Sequence, residues 1–275
     1  MKKHPLVGFT IEPFQGLTSQ LIIATMRAMG IAFVELNRRS LADVEHLSRK
    51  LNGMTAAFHL PFYHEDGFDL ACTDHAQEIN ELVAQVNRHR RALRLRHVIV
   101  HPPEGPDQSD QAWQFFLAQL KKIELPVALE NVFPSQTERY LQQSTLLRGS
   151  LGAQWAGLCF DACHFYIAGQ DPLQQWHQLH DQVCCVHLSD CLPDADLHLP
   201  FGCGGRLPID AFLSALRKTG FAGPITLEIK PPSFDDFDRY INSYTTTLRR
   251  LHYQKYLRSR IRMWFLMPIL SYLLK

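Results

Sequence analysis

Residues 97–130 read HVIVHPPEGPDQSDQAWQFFLAQLKKIELPVALE. Two short apolar runs, His97 to His101 and Val127 to Glu130, each close on a side chain able to bind a metal, and a stretch of helical length separates them. The run HVIVH, like CCVHL at 184–188, lacks the polar alternation of a strand with one wet face and is read as a strand covered on both sides. A strand, a crossover of helical length and a second strand make the repeating unit of a parallel sheet. Outward from this unit the pattern recurs, with strands expected at Leu6 to Ile11, Ala32 to Leu36, Thr55 to His59, His97 to His101, Val127 to Glu130, Gly157 to Asp161, Val183 to His187 and Ile225 to Glu228. The clearest helix is Asp74 to Leu95, where Ile79, Leu82, Val83, Val86 and Leu93 recur near helical spacing. Eight such units predict an α/β protein, a single (β/α)₈ TIM barrel over residues 1–257 with a short basic and apolar C-terminal tail over 258–275. A chain of 275 residues with 46% hydrophobic content suffices for one such core.

In barrels of this kind the chemistry lies at the carboxyl ends of the strands. Strands three to eight finish at His59, His101, Glu130, Asp161, His187 and Glu228, all of them types that bind divalent metals. Only 14 His and 27 Asp and Glu occur in the chain, so six consecutive strand ends of this kind are not a chance pattern. Buried charges gathered at one mouth require a cation or a dense hydrogen-bond network to compensate them. Two loop motifs extend the ring. Asp161-Ala162-Cys163-His164 offers an imidazole three residues beyond a carboxylate, and Asp196-Leu197-His198 sets a carboxylate and an imidazole on one side of an extended segment.

The stretches AFHLPF, VIVHPP, VALENV, GLCFDACHFYIAG, CVHLSD, DLHLPFGCGG and ITLEIK resemble, in order, the metal-binding motifs of the xylose isomerase-like barrel superfamily, and most closely those of its endonuclease IV branch. The resemblance runs from about residue 6 to 230. It implies a site of up to three zinc ions, with manganese or iron as alternatives. The first ion would be held by His59, His101 and Glu130, the second by Glu130, Asp161, His187 and Glu228, and the third by His164, Asp196 and His198. It also implies Glu130 and Glu228 as the catalytic pair. Sugar isomerases of this superfamily need a smaller set, resembling Glu130, Asp161, His187 and Glu228. Retention of the other five leads the expectation to a multinuclear phosphoester hydrolase acting on a small phosphorylated or sugar-like substrate. A single-metal sugar isomerase or epimerase is the alternative, and an abasic-site DNA endonuclease the second alternative.

Several features weigh against duplex DNA. The 28 Lys and Arg nearly balance the 27 Asp and Glu, so no global positive field is available for a polyanion. Leu197 stands where abasic-site enzymes of this resemblance usually carry a basic residue, and the segment after strand three, Phe62 to Asp69, is acidic. Glu35, Arg38 and Lys230 are candidate substrate contacts, Lys230 because strand alternation would carry it to the face of Glu228. Glu35 also suits a bond to a ligand imidazole, and Asp190 is expected to accept the free N–H of a metal-bound imidazole. The seven cysteines show no paired CxxC spacing and are read as reduced thiols. The start, Met1-Lys2-Lys3-His4-Pro5, lacks the apolar core of a signal peptide, so a cytoplasmic location is expected. In the tail, Pro268 is expected to interrupt a helix, and the 12-residue apolar run Met263 to Leu274 is too short to span a membrane. It is read first as packing on the barrel or on a partner subunit, and secondarily as contact with a membrane surface.

Overall fold

Apolar runs without alternation pair in parallel when crossover helices cover the outside and a second layer of side chains fills the inside, and this chain does both. The computed structural model describes residues 4–12, 18–134, 136–230 and 237–273, without the side chains of Glu65, Asp66, Phe237 and residues 267–273. The strands are β1 (Val7–Thr10), β2 (Phe33–Leu36), β3 (Thr55–His59), β4 (Leu95–Val100), β5 (Val127–Glu130), β6 (Trp155–Asp161), β7 (Val183–Leu188), a short antiparallel pair β8 (Asp190–Leu192) and β9 (Ala195–Leu199), and β10 (Ile225–Leu227). The helices are α1 (Ser19–Ala28), α2 (Val44–Lys50), α3 (Tyr63–Asp66), α4 (Ala76–His89), α5 (Asp110–Leu120), α6 (Thr137–Leu151), α7 (Ala162–Ile167), α8 (Pro172–Leu179), α9 (Ile209–Thr219), α10 (Phe237–Leu251) and α11 (Tyr253–Leu273).

Eight strands close a parallel barrel in the order β1-β10-β7-β6-β5-β4-β3-β2. The α/β expectation and its eight strands therefore hold. Phe33, Ala57, Ile99, Ala128, Cys159 and Cys185 form a separate buried cluster, one from each of six neighbouring strands. Outside, Trp176 of α8 meets the rings of Phe160, Phe212 and Phe221 edge-on, which locks α8 and α9 to β6. All seven cysteines are free.

Two local expectations are corrected. The helix expected to run to Leu95 ends at His89, because the chain turns through Arg94 in the left-handed region (φ 55°), and β4 begins at Leu95 rather than His97. The acidic segment after strand three contains α3, and the side chains of Glu65 and Asp66 lie outside the described residues. Pro268 does not interrupt α11, which runs on to Leu273; a proline removes one donor from the ladder while the bonds on either side remain. Helices α10 and α11 are separated by the single residue His252. The ring of His252 stacks on that of His4, which ties the start of α11 to the chain just before β1. Among the described residues no helix is long and apolar enough to cross a membrane.

Candidate metal centre

His59, Glu130 and Asp161 are the last residues of β3, β5 and β6, His101 and Glu228 follow β4 and β10 directly, and His187 is one residue from the end of β7. Parallel register does the assembling: Asp161 lies beside His187, and His187 beside Thr226. The centre of the group is Glu130, buried at the end of β5. Its Oε2 accepts from His59 Nε2 at 3.0 Å and lies 3.4 Å from His101 Nε2, while Oε1 lies 3.1 Å from His187 Nδ1 and 3.5 Å from His164 Nδ1. Glu228 Oε2 approaches the same His187 Nδ1 at 3.3 Å.

Four imidazoles are each tied on one ring nitrogen and face carboxylates with the other. His59 Nδ1 donates to the Leu60 carbonyl at 2.8 Å, His101 Nδ1 to Glu104 at 3.2 Å, His164 Nδ1 to the Asn131 carbonyl at 2.7 Å, and His187 Nε2 to Glu35 at 3.0 Å. Fixing one nitrogen in this way orients the ring and leaves the other as a ligand atom, as is usual for metal-binding histidines. Asn131 is itself clamped, accepting from the Asp161 backbone N–H and donating to its carbonyl.

The electrostatics carry the same message. Burial disfavours a charged imidazole, yet the hydrogen bond to Glu130 and the charges of Glu130, Glu35 and Glu228 hold His59 up to about 9. Burial likewise opposes ionisation of Glu228, but the charge and hydrogen bond of His187 bring it down to about 2. Asp161 goes the other way, pushed up to about 6 by burial and by the negative charges of Glu130, Glu228 and Asp196 against the opposing pull of His164. Protons on nitrogen thus occupy positions between carboxylates where a divalent cation fits equally well. One ligand atom each from Glu130, Asp161, His187 and Glu228 lies within 4.8 Å of the others, as do those of His59, Glu130 and His187. Mixed nitrogen and oxygen donors of this kind suit zinc, manganese or iron.

The remaining three expected ligands form an outer cluster. Asp196 Oδ2 lies 3.2 Å from His164 Nε2 and 3.4 Å from His198 Nε2. His198 adopts a left-handed backbone (φ 48°), pinned by the Lys230 N–H donating to its carbonyl at 2.8 Å, and its buried Nδ1 has no partner among the described residues. These residues do not form a three-donor group as tight as those around Glu130.

The four accessory candidates take different places. Glu35 is fully buried beneath His187, where its Oε2 accepts from His187 and, at 2.8 Å, from Thr226 Oγ1, so it has no surface through which to touch substrate. Among the described residues Asp190 accepts no imidazole; its carboxylate takes the backbone N–H groups of Cys191, Gly202 and Leu207 and gathers the loop beyond β9. Lys230 is exposed, and β10 ends at Leu227, so the alternation that would carry it to the face of Glu228 has already stopped. Arg38 lies over the Phe68 ring, 4.9 Å from its centroid, and 3.6 Å from Glu78; Phe68 lines a recess shared with Phe62 and His101, which puts Arg38 at the rim. Glu104 and Asn131 were not singled out from sequence. The available signal was their position, three residues after His101 and one after Glu130.

With this geometry in place, known proteins offer a comparison. A protein of Sinorhizobium fredii described as "Uncharacterized protein y4fM" is 27% identical over 127 residues, 46% of this chain and 38% of that one, so the match spans well under half of the relative. The fold resembles that of 3-keto-D-glucoside 4-epimerase from E. coli (TM-score 0.67, 14% identity, 88% of this chain and 98% of that chain). It also resembles a family 2 AP endonuclease from Brucella melitensis (TM-score 0.63, 17% identity, 83% and 94%). At such identities the likeness is one of fold alone. The sequence profile of the xylose isomerase-like TIM barrel family matches residues 23–247, and the chain belongs to that family.

Proposed function

We propose that the chain is a divalent-metal-dependent sugar epimerase or isomerase, with Glu130 and Glu228 as its acid–base pair. The observation that carries this reading is the tight group of Glu130, Asp161, His187 and Glu228, whose ligand atoms all lie within 4.8 Å of one another. A divalent ion held there would polarise a carbonyl and a neighbouring hydroxyl of the substrate. The two glutamates approach His187 Nδ1 at 3.1 and 3.3 Å, so they are close enough to serve one substrate carbon. One removes the proton beside the carbonyl and the other returns a proton. His187 and Asp161 keep the pair in place, and Glu35 keeps His187 in place. The fold is shared with an AP endonuclease too, but sugar epimerases recur among the similar structures, which favours this reading over hydrolysis and a small sugar-like substrate over duplex DNA.

A second reading, multinuclear phosphoester hydrolysis, is favoured by the outer cluster in which Asp196 links His164 and His198. A two-part experiment separates them. Metal content is measured by elemental analysis after reloading with zinc or manganese, and the protein is incubated with a panel of ketoses and keto-sugars in D₂O and with bis(p-nitrophenyl) phosphate. One ion per chain and deuterium exchange beside a sugar carbonyl are expected. Two or three ions with phosphodiester cleavage and no exchange would assign the site to hydrolysis.

A further inference from the structure

Helix α11 is apolar on two opposite sides. One side faces the protein: Ser259 and Met263 are buried, and Tyr256 and Leu266 pack against the core. Ser259 meets Tyr244 of α10, and Arg262 reaches Gly30. The other side carries Tyr253, Leu257, Ile261, Trp264 and Phe265, which are 58%, 45%, 60%, 73% and 63% exposed. At ~100° per residue these five fall on one arc of about 120°, which also holds the exposed Gln254, with Arg260 at one edge and Arg258 at the other, both exposed. An apolar helix face is normally a covered one, and here the outer arc is bare.

Charge identifies what covers it. Residues 239–275 hold eight Lys and Arg and no Asp or Glu, whereas residues 1–238 hold 20 and 27. The overall net charge of +1 therefore conceals a strongly basic C-terminal segment on an acidic body. A second copy meeting this helix about a two-fold axis would set arginines against arginines with no carboxylate in the segment to pair them. An anionic lipid surface meets both demands. Trp, Phe, Ile and Leu enter the boundary between headgroups and acyl chains, and the flanking arginines reach the headgroups.

We propose that α11 lies flat on an anionic membrane surface through Tyr253, Leu257, Ile261, Trp264 and Phe265, with Arg258 and Arg260 binding lipid headgroups and the opposite side bound to the barrel. Anchoring is peripheral, in keeping with the absence, among the described residues, of a membrane-crossing helix.

The test is flotation of the full chain with vesicles of phosphatidylcholine alone and of equal parts phosphatidylcholine and phosphatidylglycerol. Binding to the anionic vesicles only is expected, with a blue shift of tryptophan emission and release as salt rises from ~0.1 M to ~1 M. Arg258→Gln with Arg260→Gln should weaken binding roughly 30-fold, and Trp264→Ser with Phe265→Ser roughly 100-fold. Both pairs are exposed, so thermal melts matching the parent chain will show that folding is intact. Absence of binding, or equal binding to both vesicles, overturns the proposal. So does a dimer in sedimentation that Trp264→Ser with Phe265→Ser dissolves while vesicles bind nothing, a result that gives the face to a second copy.

Discussion

His187 and Glu35, 152 residues apart in the chain, are both fully buried and share a hydrogen bond of 3.0 Å, His187 Nε2 donating to Glu35 Oε2. The bond turns His187 Nδ1 toward Glu130 and Glu228. Glu35→Gln preserves the shape of the side chain but removes the charge that fixes this tautomer. Metal affinity, measured by competition with a chelating dye, should fall by about 10- to 100-fold with little change in fold. Unchanged affinity would mean that Glu35 serves the barrel interior, through its bond from Thr226, and not the metal site.

Glu130 and His198 distinguish the inner cluster from the outer one. Glu130→Gln removes the carboxylate shared by four imidazoles and should abolish both metal retention and turnover. His198→Ala removes the ion-pair partner of Asp196 at the outer cluster and should leave a single-metal epimerase within about a factor of ten of the parent rate, whereas a three-metal hydrolase would lose ~10²-fold or more. Metal content and rate measured on the same preparations decide the matter.

His97 gives the fold a pH dependence of its own. Burial, with Arg96 and His187 acting in the same direction, lowers it from 6.5 to about 4, so the folded protein keeps it neutral. Its contribution to stability is complete above about 6.5, is lost as the pH falls toward about 4, and changes no further below that. The gap corresponds to about 3 kcal/mol. Urea unfolding of metal-free protein should show His97→Leu gaining on the parent chain by that order between neutral pH and about pH 4. A constant difference between the two proteins across this range would refute the assignment.

Gly205 is required by Asp190. A Cβ at position 205 would sit 2.1 Å from the Asp190 carboxyl carbon, while that carboxylate is already committed to three backbone N–H groups. Gly205→Ala should therefore cost roughly 1–3 kcal/mol and loosen the loop that follows β9. Adding Asp190→Ser should restore less than the full loss, because the donors it abandons are buried with Cys191 and Leu207. A melting temperature for Gly205→Ala equal to that of the parent chain would contradict this packing.

The ring of ligand types could be read from the chain because each member stands at or within one residue of the end of a barrel strand, and strand ends are marked by local apolar runs. The sequence decides less where the relevant contact is not local. It leaves Glu35 open to either a substrate hydroxyl or a ligand imidazole, and it offers Asp190 as an imidazole's acceptor. The barrel gives the imidazole to Glu35 and ties Asp190 to its own loop. Lys230 was carried past the end of β10 by an alternation that applies only within a strand. The β8–β9 hairpin, which presents Asp196 and His198, left no strand signal strong enough to mark it.

From the residue order alone came the α/β barrel, the approximate strands and the nine side chains that gather at one mouth, since periodicity and strand ends are properties of short segments. Closure of the barrel decided the rest. It brought Glu35 of β2 against His187 of β7, a strand that β2 does not pair with, chose which nitrogen each imidazole keeps for itself, and packed one side of α11 while leaving the other bare. Those outcomes depend on contacts between residues far apart in the chain, and no local pattern encodes them.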